Sequence, residues 1–141
     1  MKASGWARRV PALVSIALGL AAASAAWAHH SFAMYDNEHQ IKLKGKVTNF
    51  QWTNPHVYID LDGVDVNSDK KEMKSWVIEG ANPGILNRVG WKFNMIQTGD
   101  ELTVIVAPMR SGEPGALLKE VTLPDGRVFT NGGPAGPALI H

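Results

Sequence analysis

A chain of 141 residues is long enough for one domain and short for two. It is 45% hydrophobic and 19% charged, which suits a globular core and excludes wholesale disorder, and 14 basic against 13 acidic side chains leave a net charge of +1, with no basic excess to direct it to nucleic acid. The chain has no cysteine, which excludes a disulfide scaffold, thiol catalysis, an iron–sulfur cluster and a lipoprotein anchor.

The first segment reads as an address. Lys2, Arg8 and Arg9 supply a positive start, an apolar stretch covers residues 10–20, and small residues lead to Ala26-Trp27-Ala28. This is the order of a secretory signal peptide with an Ala-x-Ala cleavage site, predicting residues 1–28 to be removed. An uncleaved anchor is the competing reading, since residues 10–28 approach the length that spans a bilayer. Their second half is mostly alanine, however, and it ends in the cleavage signature. Processing leaves 141 − 28 = 113 residues with 11 basic and 13 acidic side chains, a net charge of −2. A mildly acidic periplasmic or secreted domain without a membrane span is the expectation, and it is no electrostatic partner for nucleic acid or anionic lipid.

Strands dominate the rest of the chain. Ile41, Leu43 and Val47 share one face of a first strand, with Lys42, Lys44 and Lys46 on the other. Phe50 and Trp52 then fall on the even positions, so the alternation changes phase and predicts a bulge or bend near Gly45. After Asn54-Pro55, Val57, Ile59 and Leu61 alternate with His56, Tyr58, Asp60 and Asp62 in a second strand. Residues 63–74 are polar and read as a loop. Residues 74–79 read as a third strand with Trp76 and Ile78 on one face. Asn82 is a good N-cap, Pro83 suits the first helical position and Gly90 the C-terminal end, with Ile85, Leu86 and Val89 as the buried stripe of a short helix. Leu102, Val104 and Val106 mark a fourth strand closed by Pro108. Leu117, Val121 and Leu123 mark a fifth, and Val128-Phe129 comes after the Pro124-Asp125-Gly126 turn. Residues 131–141 are rich in Gly and Pro and read as a disordered tail. Three strands, a helix and two strands, the first strand bent, predict a mainly β domain over residues 29–130. The expected fold is a small five-stranded OB-like barrel with one short helix between strands 3 and 4. A small meander sandwich is the alternative.

Several short motifs resemble an uncharacterised family of exported Gram-negative proteins, the domain of unknown function 6152. They are His29-His30-Ser31-Phe32, Gly45-Lys46-Val47, Trp52-Thr53-Asn54-Pro55-His56, Asn82-Pro83, Gly90-Trp91, Thr98-Gly99-Asp100 and Val121-Thr122-Leu123-Pro124-Asp125-Gly126. The resemblance spans nearly the whole mature chain. It implies export and a small β-rich domain and brings no activity with it.

Cleavage after Ala28 would create the sharpest chemical feature, a new N-terminus at His29. Its free amine and imidazole can chelate one metal ion, and His30 offers a second mode through amine, deprotonated amide and imidazole. Nitrogen ligands of this kind favour Cu(II). His56 is the candidate third ligand, as in histidine-brace sites, and Met34 or Met109 could add a soft ligand for Cu(I). A pair of histidines at a terminus is equally what a frayed, solvated end looks like. His56, beside a proline turn, also suits a residue that merely orders backbone carbonyls. Trp52 and Tyr58, with Trp76 and Trp91, raise a second idea: an OB barrel can stack aromatics on a glycan or a partner protein. The plain reading is that tryptophans in so small a barrel fill its core, Trp76 above all because it shares a face with Ile78. No nucleophile elbow, phosphate loop or His-Glu-x-x-His pattern is present, and Asp60 and Asp62 read as solvated carboxylates. The expected function is therefore a non-enzymatic periplasmic binding or accessory protein. It takes copper at His29, His30 and His56, or, in the alternative, serves as an envelope module contacting a glycan or protein.

Overall fold

Strands with one apolar face must bury that face against something, and a sheet that curls until its edges meet does so without a second layer. The computed structural model describes residues 32–132. It contains β1 (Ile41–Gln51), β2 (Tyr58–Asp65), β3 (Lys74–Glu79), α1 (Pro83–Arg88), β4 (Glu101–Pro108), β5 (Gly115–Thr122) and β6 (Val128–Thr130). β1 pairs antiparallel with β2 and with β4, β2 with β3, and β4 with β5. A short parallel pairing of residues 77–79 in β3 with residues 115–117 in β5 closes the barrel. The chain thus forms the expected mainly β, five-stranded barrel with one short helix between β3 and β4. Val128-Phe129 becomes the three-residue β6, added to β5 outside the closed ring.

The phase change in β1 is a bulge. Its pairing with β2 shifts between Val47 and Asn49, and the inward positions pass from Leu43 and Val47 to Phe50, which pairs with Ile59. The expected loop over residues 63–74 is too long, because β2 runs on to Asp65. Gly63 there faces Gly45 across the ladder. A Cβ on Gly45 would strike the Asp62 carbonyl oxygen, and one on Gly63 would stand 2.8 Å from that of Lys44. The two glycines mark a close backbone approach inside a strand pair, not a turn.

β5 departs from the alternation read in its sequence. Val104 pairs with Val121, but past a register shift between Ile105 and Val106 the partners become Leu118, Leu117 and Ala116. The shift is taken up at Lys119. It turns Leu118 and Ala116 inward and sends Leu117 to the outer wall, whereas the sequence placed Leu117 on the face of Val121 and Leu123. The run Ala116-Leu117-Leu118 is apolar throughout, so it carries no phase information of its own.

The helix starts where its cap chemistry says: the Asn82 side-chain oxygen accepts from the Ile85 amide at 2.9 Å and Pro83 occupies the first turn. Gly90 comes next but one after the last helical residue, with φ of +96°, a conformation that favours glycine. Leu86 is fully buried and joins the barrel core, together with Trp91, whose Nε1 donates to the Thr130 carbonyl at 2.9 Å. Val89 is partly buried, but Ile85 is 38% exposed and lies outside the expected stripe. Six residues make fewer than two turns, so one side chain, Leu86, does most of the sealing. Asn131, read as the start of the tail, donates its amide to Lys119 and accepts the Ala81 amide on its side chain. The chain divides into Met1–Met34 and Tyr35–His141, and the barrel belongs to the second unit. Of the first unit only residues 32–34 are described, with Phe32 and Met34 exposed. The expected cleaved segment, His29, His30 and residues 133–141 lie outside the described residues.

Candidate functional site

Antiparallel pairing of β2 with β3 puts Tyr58 opposite Glu79. The pairing continues past the strand ends, where Val57 donates to Ala81 and Gly80 donates to Val57. His56 is two residues before Tyr58 and therefore projects on the same outer face, diagonal to Glu79. Its approach is set by the 53–56 turn, which contains a cis Asn54–Pro55 bond and is closed by the Thr53 hydroxyl donating to the His56 carbonyl at 3.1 Å. The His56 Nδ1 meets Glu79 Oε1 in a hydrogen-bonded pair.

The other Glu79 oxygen is held from the opposite side. Tyr35 donates its hydroxyl to Oε2 at 2.6 Å. Its ring lies with Ala107 and Leu117, all three buried, in a small apolar cluster on the outer wall bordered by Met109. The segment carrying Tyr35 is tied to the end of β4. Tyr35 forms a bridge with Met109, and the Asp36 amide donates to the Pro108 carbonyl at 2.8 Å. The Asp36 side chain takes His39 at 2.9 Å and Arg110 at 3.7 Å; Lys119 Nζ donates to the Asn37 side chain at 2.6 Å. The His39 hydrogen bond holds the Asp36 carboxyl below the usual range. Leu117 is also the cross-strand partner of Glu79 at the parallel closure, so the bulge at Lys119 that turns Leu117 outward builds the floor of this site.

The result is a line of three polar groups, Tyr35, Glu79 and His56, on the outside of the barrel. The side chains of Glu79 and His56 are 15% and 29% exposed, so the carboxylate is largely covered and the imidazole less so. Burial, then the hydrogen bond and charge of Glu79, push the Tyr35 hydroxyl far above its ordinary value. Burial and the same carboxylate push Tyr58 up as well. Both tyrosines remain neutral hydrogen donors throughout the physiological range. Among the described residues nothing bonds the second nitrogen of His56, Nε2, and no three His, Asp or Glu side chains converge as a metal cluster.

The other sequence-derived candidates lie in ordinary settings. Trp52 is half-buried and packs on Phe50 with ring centroids 6.0 Å apart. Tyr58 stands beside His56 and Glu79, whereas Trp76 fills the core, its Nε1 without a partner among the described residues. Asp60 accepts from Asn49 at 3.0 Å and Asp62 from Ser75 at 2.6 Å, which is how solvated strand carboxylates behave. Met109 borders the Tyr35 cluster. Sequence reading missed Tyr35 and Glu79. The signal for Glu79 was its position opposite Tyr58 once the β2–β3 register is known; Tyr35 stands in no periodic pattern.

Fold and site define an OB-like barrel with a tyrosine–glutamate–histidine line on its outer wall. The chain belongs to a family of unknown function, DUF6152, whose model matches residues 17–118 and so takes in all three of those side chains. No curated protein and no solved structure matches it. No helix among the described residues is long and apolar enough to cross a membrane.

Proposed function

We propose that this chain is an exported, non-enzymatic binding protein that takes copper. On this reading the segment before His29 is removed on export to the periplasm. The amine and imidazole of His29 chelate the ion, His30 provides the alternative chelate, and His56 is the candidate third nitrogen ligand. The observation that supports it is the hold of Glu79 on His56 through Nδ1. A histidine that ligates a metal almost always gives its other ring nitrogen to a carboxylate, a carbonyl or water, and that partner orients it. His29 stands six positions before Tyr35 in the sequence, a stretch that spans about 20 Å when fully extended.

The test is metal stoichiometry on protein that starts at His29, beside protein carrying one extra residue before it. The authentic start is expected to bind one Cu(II) through nitrogen ligands, more weakly as pH falls because protons compete for amine and imidazole. The extended form is expected to bind more weakly, since its amine has moved. Equal binding by both forms would overturn the terminal chelate. His56→Ala reports whether the barrel histidine shares the same ion.

A further inference from the structure

Neither Tyr35 nor Glu79 is a copper ligand in this reading, yet they occupy the inner part of the site. We infer that they form a positioning relay: Glu79, held by Tyr35, fixes His56 in the tautomer that carries its proton on Nδ1, so that Nε2 is the nitrogen offered to a ligand.

The argument is one of donors and acceptors. A carboxylate accepts at both oxygens. Its Oε2 is filled by a tyrosine hydroxyl that burial keeps protonated. Its Oε1 faces His56 Nδ1 and satisfies that nitrogen only if Nδ1 carries the hydrogen. In the neutral ring the lone pair is then on Nε2. Tyr35 limits the carboxylate's freedom from the far side, and Tyr35 is itself fixed by its bridge to Met109 and by packing on Ala107 and Leu117. The relay therefore runs from the wall of the barrel to an imidazole that is partly exposed. It also explains why a carboxylate is this well covered on the outside of a barrel: partial desolvation of a charge is tolerated when its hydrogen-bonding capacity is filled.

The inference rests on the copper reading only for the identity of the ion, and the experiment separates the two. Long-range proton–nitrogen NMR of the folded, metal-free protein reads the tautomer of each histidine, with His56 assigned by its loss in His56→Gln. The expected spectrum shows the Nδ1–H form for His56. Glu79→Gln, whose amide oxygen still accepts, is expected to retain it, Glu79→Ala to lose it, and Tyr35→Phe to shift it part of the way. An Nε2–H ring in the wild type, or a ring unmoved by Glu79→Ala, overturns the relay. Should Glu79→Ala fail to fold, the wild-type spectrum and Tyr35→Phe decide. In the authentic-start protein, Glu79→Ala is expected to weaken Cu(II) binding by about 10–100-fold, with Glu79→Gln in between. A wild type that shows the Nδ1–H form and binds no copper overturns the copper reading and leaves the relay standing.

Discussion

Leu118 and Leu117 are neighbours in β5, yet Leu118 lies in the cluster that fills the barrel and Leu117 lies under Tyr35 on its outer wall. Around Leu118 the buried side chains are apolar or aromatic: Leu43, Ile59, Leu61, Val104, Leu102 and their neighbours. Among the described residues the apolar cluster around Leu117 holds Tyr35, Ala107 and the edge of Met109, and it ends in a hydrogen-bonded line to Glu79 and His56. The interior is held by area removed from water, which is large and indifferent to direction. The outer patch is too small to be held that way, and directional bonds fix what little apolar surface it has. Stability concentrates in the first region, whereas the second keeps its polar groups partly exposed, the His56 imidazole among them.

The sharpest test of that division is the leucine pair itself. Leu118→Ala is expected to cost about 2–5 kcal/mol in urea unfolding, since the closed barrel cannot collapse onto the vacancy. Leu117→Ala is expected to cost clearly less, because the thin outer cluster can relax. Equal losses would mean that the outer patch holds the fold as firmly as the interior does. Next in size, Gly45→Ala pushes two strands apart inside the ring, with an expected loss of about 1–3 kcal/mol by the same assay.

Tyr35→Phe keeps the ring on Ala107 and Leu117 and removes only the donor to Glu79. A loss of about 1.5–3 kcal/mol is expected at neutral pH, the worth of a hydrogen bond to a charged group whose acceptor is left without that donor. The pH dependence has a definite sign. The folded protein keeps Tyr35 and Tyr58 protonated beyond the value at which the unfolded chain ionises, near 10. Their contribution is therefore constant below about pH 10, and stability falls as pH rises above it. These are the only two tyrosines in the chain, so phenolate absorbance reads them directly. Native protein at pH 10 is expected to show less phenolate than urea-unfolded protein, which shows about half of its full signal. Tyr35→Phe is expected to flatten the alkaline fall in stability; an unchanged fall would remove Tyr35 from its cause. The smallest effect belongs to Ile85→Ala at the exposed side of α1, expected within about 0.5 kcal/mol. Leu86→Ala, on the same helix, is expected at the cavity scale of Leu118→Ala.

Much of the barrel was legible in the amino-acid sequence. Alternation placed residues 74–79 and the core of β2 and β4, the broken phase announced the bulge in β1, and Asn82-Pro83 set the start of α1. These are local effects: a strand exposes its period, and a cap bonds residues three positions away. Three readings failed where local pattern is silent. Residues 63–65 read as loop because the Gly45–Gly63 approach needs both strands to be known. Leu117 read as core because an apolar run hides a bulge. Ile85 read as buried because a helix shorter than two turns has one inward position to fill. His56 could be singled out from its residue type and its proline turn. Its partners could not, since Glu79 is 23 positions later and Tyr35 21 positions earlier. The sequence by itself determined which strands form and, outside the apolar run of β5, which faces are apolar, because neighbouring side chains decide that. Only the tertiary structure decided that a tyrosine, a glutamate and a histidine from three separate segments share one line of hydrogen bonds. That outcome depends on the register of β2 on β3, on the closure of β3 against β5 and on the bulge that turns Leu117 outward, none of which is a property of any one segment.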